Sequence, residues 1–436
     1  MSNMERTEIT LSKICKNIHD HGGKAKVCIC GFGSVAQYLF DYLLTMPSNP
    51  DIIICTRNTE KALPFVNCLT RASVIRTGDL NKVSLLSCDF DNIDELSTIL
   101  IEEKPDIVVN ASRYVSGLKY GSISWNCCRA YGYWVPLSMY YTKKIGEAII
   151  HSGIECAYIN TSYPDATNPW FKYATKFNMP IFGAGNINHI VARYKVAFID
   201  LWNKKHLNNQ LEISDIDVAM VASHFHDVLI GKDGTDKDTD SSFEGPEILV
   251  NISLKNRDNV MFEKELTTFA HNNHSTILKN CAIAFPSDKT RNMMVASSVL
   301  EIIDTIIYGG SIYGELKHDN SVYRLLNIPG ALGTCGGMPI LVNLSGSCEA
   351  MFAKASLFGV DLPTMLSINR NSLFQDGLDL SAIDKGIVKF VNNKKLSKLE
   401  NLLDFHWPTE VKYEDVEDLA SLIAQYLYIY RENHKS

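Results

Sequence analysis

A chain of 436 residues is longer than one hydrophobic core usually sustains, so two domains are expected. It is 46% hydrophobic and 21% charged, with 42 Lys and Arg against 49 Asp and Glu, a globular composition whose net charge of −7 argues against nucleic acid or an anionic membrane as partner. The twelve cysteines are scattered through apolar segments with no CxxC pair, which argues against a disulfide framework and against a metal site, and no segment reads as a signal peptide or membrane span, so a cytoplasmic protein is expected.

The first half alternates strand-like and helix-like segments, the α/β pattern of a doubly wound parallel sheet. Strands are predicted at 26–30, 51–55, 83–89, 106–112, 156–161 and 180–183, each a nearly continuous Val, Ile, Leu and Cys run, as in strands covered on both faces. Helices are predicted between them at 36–44, 60–70, 93–104, 137–152 and 189–205. Beyond about residue 205, "DIDVAMVASHFHDVLI" and "EGPEILVNISLKNRDNVMFEKEL" read as β-rich pieces joined by a polar loop over 231–242. A long helix over 289–308, the glycine-rich "IPGALGTCGGMPILVNL" and an amphipathic helix over 413–430 follow. The chain thus divides into a Rossmann-type domain (1–205), an α+β substrate or dimerisation domain (206–410) and a C-terminal helix (411–436) expected to pack back on the first domain.

"KVCICGFGSVAQYLFDYLL" joins the first strand to the first predicted helix through Gly31-Phe32-Gly33-Ser34-Val35-Ala36. In a dinucleotide-binding turn the first glycine makes the turn, the second lets the backbone approach the pyrophosphate, and a small residue such as Ala36 sits where helix meets sheet. The second strand ends 24 residues after Gly33 in Thr56-Arg57, where an NAD site usually carries a carboxylate. A guanidinium there forks onto a 2′-phosphate, so Arg57 favours NADP, with NAD as the second choice. Asp89, ending the third strand, is expected on the adenine side or as the cap of a helix beginning near Asn92, and Asn110, Ala111 and Ser112 beside the nicotinamide ribose.

The run "VSLLSCDFDNIDELSTILIEEKPDIVVNASRY" resembles the cofactor domain of the saccharopine dehydrogenase-like NAD(P)-dependent oxidoreductases. "INTSYPDATNPW" and "FGAGNINHIVARYK" extend the resemblance, and "VASHFHD", the helix from Lys289 and "PGALGTCGGMPI" continue it more weakly. It implies hydride transfer at a C–N centre, an imine formed from an amine and a carbonyl compound, or at a C–O centre. "NTSYPDATN" departs from the pattern of saccharopine reductases proper, so lysine-pathway chemistry is not implied.

Site residues follow from position. Arg113, Lys119 and Tyr120, in the segment after the fourth strand, are expected to hold a substrate carboxylate, with Arg193 and Arg291 as weaker anchors. Asn160 and Asn168 are expected to face the same crevice, with Tyr163 or Asp165 exchanging a proton with substrate. His224 and His226 share one face of a predicted strand and form a proton-handling pair; no third ligand accompanies them, so no metal is expected. The acidic run from Asp236 has Ser241 where a calcium loop needs glycine, and reads as a solvated loop. The partner is then a small carboxylate-bearing molecule, and the protein a homodimer or other homo-oligomer. Two alternatives remain: an extended short-chain dehydrogenase or epimerase using Tyr140 and Lys144, and a non-catalytic NADP-sensing protein.

Overall fold

A computed structural model describes residues 3–117, 120, 123, 130–230, 248–255, 259–286, 288–308, 316–318, 321–343, 350–352 and 360–434. Six strands, β1 (Lys26–Cys30), β2 (Asp51–Thr56), β3 (Val83–Ser87), β4 (Ile107–Asn110), β5 (Ala157–Asn160) and β6 (Ile181–Gly183), run parallel in the order β3-β2-β1-β4-β5-β6. The order reverses between β1 and β4, where a parallel sheet opens its ligand crevice. Between and before the strands lie α1 (Asn3–Asp20), α2 (Ser34–Leu43), α3 (Thr59–Thr77), α4 (Ile93–Glu103), α5 (Val135–Ser152) and α6 (Pro164–Thr175).

The period-two alternation of strand side chains explains why these strands are apolar throughout. Val27, Ile29, Ile52, Ile54 and Val109 bury against Leu39 and Phe40 of α2. Cys28, Cys30, Ile53, Cys55 and Val108 bury on the other face, with Leu96 and Leu100 of α4 and Ile145 and Ile149 of α5. Each large aliphatic side chain so covered is worth roughly 1.5–3 kcal/mol, so the cysteines here are core residues.

In the second half, β7 (Ile216–Val221) pairs antiparallel with β8 (Leu249–Leu254). A second antiparallel sheet comprises β9 (Leu316–His318), β10 (Ser321–Pro329), β11 (Gly337–Asn343) and β12 (Ala350–Phe352), and a third β13 (Leu378–Asp379), β14 (Ile387–Phe390) and β15 (Glu410–Lys412). The helices are α7 (Asn186–Lys205), α8 (His224–Ile230), α9 (Val260–Asn272), α10 (His274–Asn280), α11 (Asn292–Tyr308), α12 (Leu362–Gln375), α13 (Lys394–Leu403) and α14 (Val416–Asn433). The fold is α/β, a Rossmann-type doubly wound sheet accompanied by small antiparallel sheets.

Two expectations for the second half are corrected. "VASHFHD" does not continue a strand: β7 ends at Val221, Asp165 Oδ1 accepts the His224 N–H at 3.0 Å, and α8 starts there. "NVMFEKEL" is α9, capped by Asn259, whose Oδ1 accepts the Phe262 N–H at 3.1 Å. The loop over 231–242, the calcium-like run from Asp236 included, lies outside the described residues, as do Cys127 and Cys128.

Two helices link the halves. α11 packs on α2, with Ala296, Val299, Ile302 and Ile303 in one cluster with Ala36 and Leu39. α14 packs on α5: Val416, Ala420, Ile423 and Leu427 join the cluster that covers Cys28 and Cys30, and Glu417 meets Lys143 at 2.9 Å and Lys144 at 2.6 Å. Leu373 to Val411 contribute to the same cluster, so its membership begins well before residue 411. No helix among the described residues is long and apolar enough to cross a membrane.

Candidate active site

A cavity of about 590 Å³ opens at the switch point, lined by Gly31, Phe32, Gly33, Ser34 and Val35 of the turn, Thr56 and Arg57 after β2, and Ala111, Ser112 and Arg113 after β4. The two glycines do different work. Gly31 has φ +101°, and a Cβ on it would stand 2.4 Å from Ser112 Oγ, which itself donates to the Cys30 carbonyl at 2.9 Å. Its lack of a side chain is a demand of the fold. Gly33 has φ −76° and ψ −172°, open to any residue, and nothing lies within 4 Å of where its Cβ would be. It is also the N-cap of α2 and supplies no side-chain cap, so the first-turn N–H groups face the cavity with the positive end of the helix dipole behind them.

Past β2 the exposed Arg57 lies over the Tyr141 ring at 5.9 Å from its centroid. Asn58 lines the wall and caps α3, its Oδ1 accepting the Lys61 N–H at 2.8 Å. Asp89 does not line the cavity: its carboxylate accepts the Asp91 N–H at 3.2 Å, and Phe90 takes its place in the wall. Ala36 is fully buried beneath the turn. Asn110 is also buried and closes a network instead of facing a ligand; its Oδ1 accepts the Ser112 N–H at 3.0 Å and its amide donates to Asn160 Oδ1 at 3.1 Å.

The far wall belongs to Arg113 and Tyr131. The Arg113 guanidinium donates to Tyr131 Oη at 3.2 Å, Tyr120 Oη at 3.4 Å and the Thr161 carbonyl at 3.5 Å, and Tyr120 and Tyr131 share a 2.8 Å hydroxyl contact. All three acceptors are neutral, so among the described residues no carboxylate balances this cation. Lys119 lies outside the described residues.

Behind Tyr131 stands a buried acid–base cluster. Its ring lies 4.6 Å from the His224 ring, centroid to centroid, and its N–H donates to Asp376 Oδ1 at 2.7 Å. The other Asp376 oxygen accepts Tyr163 Oη at 2.7 Å and pairs with His224 Nδ1 at 3.1 Å. Burial pulls the His224 pKa down, but Asp376, Asp165 and Asp227 outweigh it and leave it above the ordinary histidine value. Asp165 is pushed up to about 6, chiefly by burial, and its Oδ2 has no partner. The expected Tyr163, Asp165 and His224 are thus brought together, around a carboxylate that the sequence reading did not single out.

Other expected site residues fall elsewhere. His226 is fully buried, its Nδ1 accepting the Ser223 N–H at 2.9 Å, and on α8 it does not share a strand face with His224. Asn160 and Asn168 are fully buried: the Asn160 amide donates to Thr167 Oγ1 at 2.9 Å and Asn168 Oδ1 at 2.8 Å, and Asn168 donates to the Gly330 carbonyl at 3.2 Å. Both tie α6 to the sheet and lie outside the cavity wall. Arg193 pairs with Asp227, which Arg291 also reaches at 3.6 Å, so neither faces the cavity. Tyr140 stacks on Tyr114 at 4.0 Å and Lys144 pairs with Glu417, so the short-chain dehydrogenase spacing points away from the cavity, which takes Tyr141 instead. Asn292 of α11 reaches across to the turn, donating to Ser34 Oγ at 2.5 Å.

No family model matches the chain, and no curated protein matches it. Solved structures similar to it include the lactate dehydrogenase of Cryptosporidium parvum complexed with lactic acid and nicotinamide adenine dinucleotide (12% identity over 83% of this chain and 97% of that one, TM-score 0.48). Another is the malate dehydrogenase of Plasmodium falciparum in complex with NADH (13% over 83% and 98%, TM-score 0.43). A third is a lactate dehydrogenase from a Medee basin deep-sea metagenome library (11% over 83% and 99%, TM-score 0.43).

Proposed function

We propose that the chain is an NADP-preferring oxidoreductase acting on a carbon bonded to nitrogen or oxygen in a small carboxylate-bearing substrate. The open space at Gly33 carries the reading. A glycine that the backbone does not require, on an uncapped helix N-terminus in a cavity wall, is clearance for a phosphate group. Gly31 to Val35 would hold the pyrophosphate, Arg57 the ribose 2′-phosphate, and Ala111 and Ser112 the nicotinamide ribose. When bound, the nicotinamide supplies or accepts the hydride.

The chain's own residues handle charge and proton. Arg113, faced by neutral oxygens, takes the substrate carboxylate. His224, held by Asp376 with its pKa raised, is the acid–base group behind Tyr131, and it gives or takes the substrate proton once the Tyr131 ring turns aside. The saccharopine dehydrogenase-like motifs favour an imine as the acceptor, the substrate carbonyl having condensed with an amine. A panel of 2-oxo acids, each offered alone and with primary amines, tests this by NADPH oxidation. Turnover of at least one pair is expected; tight NADPH binding with no turnover across the panel would leave the NADP-sensing reading in its place.

A further inference from the structure

A second hollow of about 480 Å³ opens where α2, α7 and α11 meet. Its floor is His189, 4% exposed, and Ser298, 3% exposed; Ala192 and Ser297 stand exposed at its mouth. Neither ring nitrogen of His189 has a hydrogen-bond partner, although the Met294 backbone comes close, and Asn188 Oδ1, also in the wall, has none. Buried polar groups are nearly always satisfied, so three unpartnered atoms on one cavity wall call for a ligand.

The hydrogen-bond inventory says which kind. Ser297 and Ser298 spend their hydroxyl protons on the Met293 and Met294 carbonyls, at 2.8 and 3.0 Å, and Ser297 also meets the hydroxyl of Tyr42, which lines the hollow. The Asn188 amide donates to Glu301 Oε2 at 3.1 Å, leaving its own carbonyl oxygen bare. Burial pushes His189 down to about 4, so at neutral pH one of its nitrogens is a pure acceptor. Arg193 and Arg291 come near His189 and both pair with Asp227, with Arg193 Nη1 left unpartnered, but neither lines the hollow, and Arg324, 3.8 Å from Glu301, is held by Asp304 at 2.8 Å. The wall is therefore rich in acceptors and carries one carboxylate.

We propose that this hollow binds a small primary ammonium compound, its three N–H donors taken by Asn188 Oδ1, a Glu301 oxygen and the free lone pair of His189. Ala192, Met294 and Leu300 would pack against its carbon chain. An ammonium group suits the wall because it donates three times and accepts nothing.

Butane-1,4-diammonium chloride, titrated into the full chain while the histidine imidazole resonances are followed by NMR, tests this; His189→Gln identifies the His189 signal. A saturable shift of that signal is expected, with a Kd on the order of 1 mM or tighter. Ala192→Trp, which plugs the exposed mouth, removes the response without lowering the melting temperature, and Glu301→Gln weakens it about tenfold or more. Absence of saturation, an unaltered response in Ala192→Trp, or an equal response to sodium acetate or butane-1,4-diol overturns the proposal. The titration reads binding directly and is independent of whether the chain turns over NADPH.

Discussion

Gly33→Ala separates a need of the fold from a need of the ligand. At φ −76° with nothing within 4 Å, the added methyl group meets no protein atom, and restricting the unfolded chain stabilises by about 0.4–1 kcal/mol. The same methyl projects into the space through which a pyrophosphate would reach the first-turn N–H groups. Losing one hydrogen bond to a charged oxygen costs roughly 1.5–3 kcal/mol, which weakens NADPH binding about 10- to 150-fold. Gly31→Ala is the contrasting case, because φ +101° and the 2.4 Å approach to Ser112 Oγ destabilise the fold itself. Thermal melts and NADPH fluorescence titrations on both variants give the comparison. NADPH affinity in Gly33→Ala equal to that of the unsubstituted chain, or a fall in melting temperature matching that of Gly31→Ala, refutes the reasoning.

The remaining predictions address charge and proton. Arg57→Asp lowers the ratio of NADP to NAD affinity at least about tenfold in paired titrations; an unchanged ratio removes Arg57 from the account. His224→Ala cuts turnover by about 10²–10⁴ while NADPH affinity holds, whereas His226→Ala costs stability of about 1–3 kcal/mol because it strands the buried Ser223 N–H; a kinetic and denaturant comparison that reverses the two would contradict these roles. Asp165, with a folded pKa of about 6 against 3.8, carries a stabilising contribution that is complete below about pH 4 and lost as pH rises through 6, a swing of ~3 kcal/mol. Asp165→Asn keeps an oxygen for the His224 N–H and flattens that stretch of the stability–pH curve; denaturant midpoints from pH 4 to 8 that fall equally in both proteins would refute it.

The sheet was legible because its strands are buried on both faces and its helices recur at short intervals; the predicted 26–30 strand coincides with β1, and 51–55 falls one residue short of β2. Local chemistry identified the turn for the same reason, since Gly31, Gly33 and Ala36 act within one strand–helix junction. Residues whose roles depend on distant partners were harder to read. Asp376 lies more than 200 residues from Tyr163, and nothing in "LFQDGL" marks it until α12 ends beside Tyr131. "SHFHD" alternates as a strand does, but Ser223 Oγ accepts the Phe225 N–H at 3.3 Å, His226 Nδ1 accepts the Ser223 N–H, and Asp165 takes the His224 N–H, so a helix starts there. Asn160 and Asn168 have the polarity of ligand-binding residues, yet they satisfy one another in the core, and composition cannot distinguish the two uses.

The way α14 lies on α5 also sets an order of assembly. Val416 to Leu427 follow the parallel sheet far along the chain, yet they complete the cluster that contains Cys28 and Cys30. A chain terminated before Val416 would leave the α5 side of that cluster uncovered and strip Lys143 and Lys144 of their carboxylate partner. The Rossmann-type half precedes α14 in the chain but is completed only once α14 has docked, and a nonsense mutation before Val416 uncovers the α5 side of its sheet.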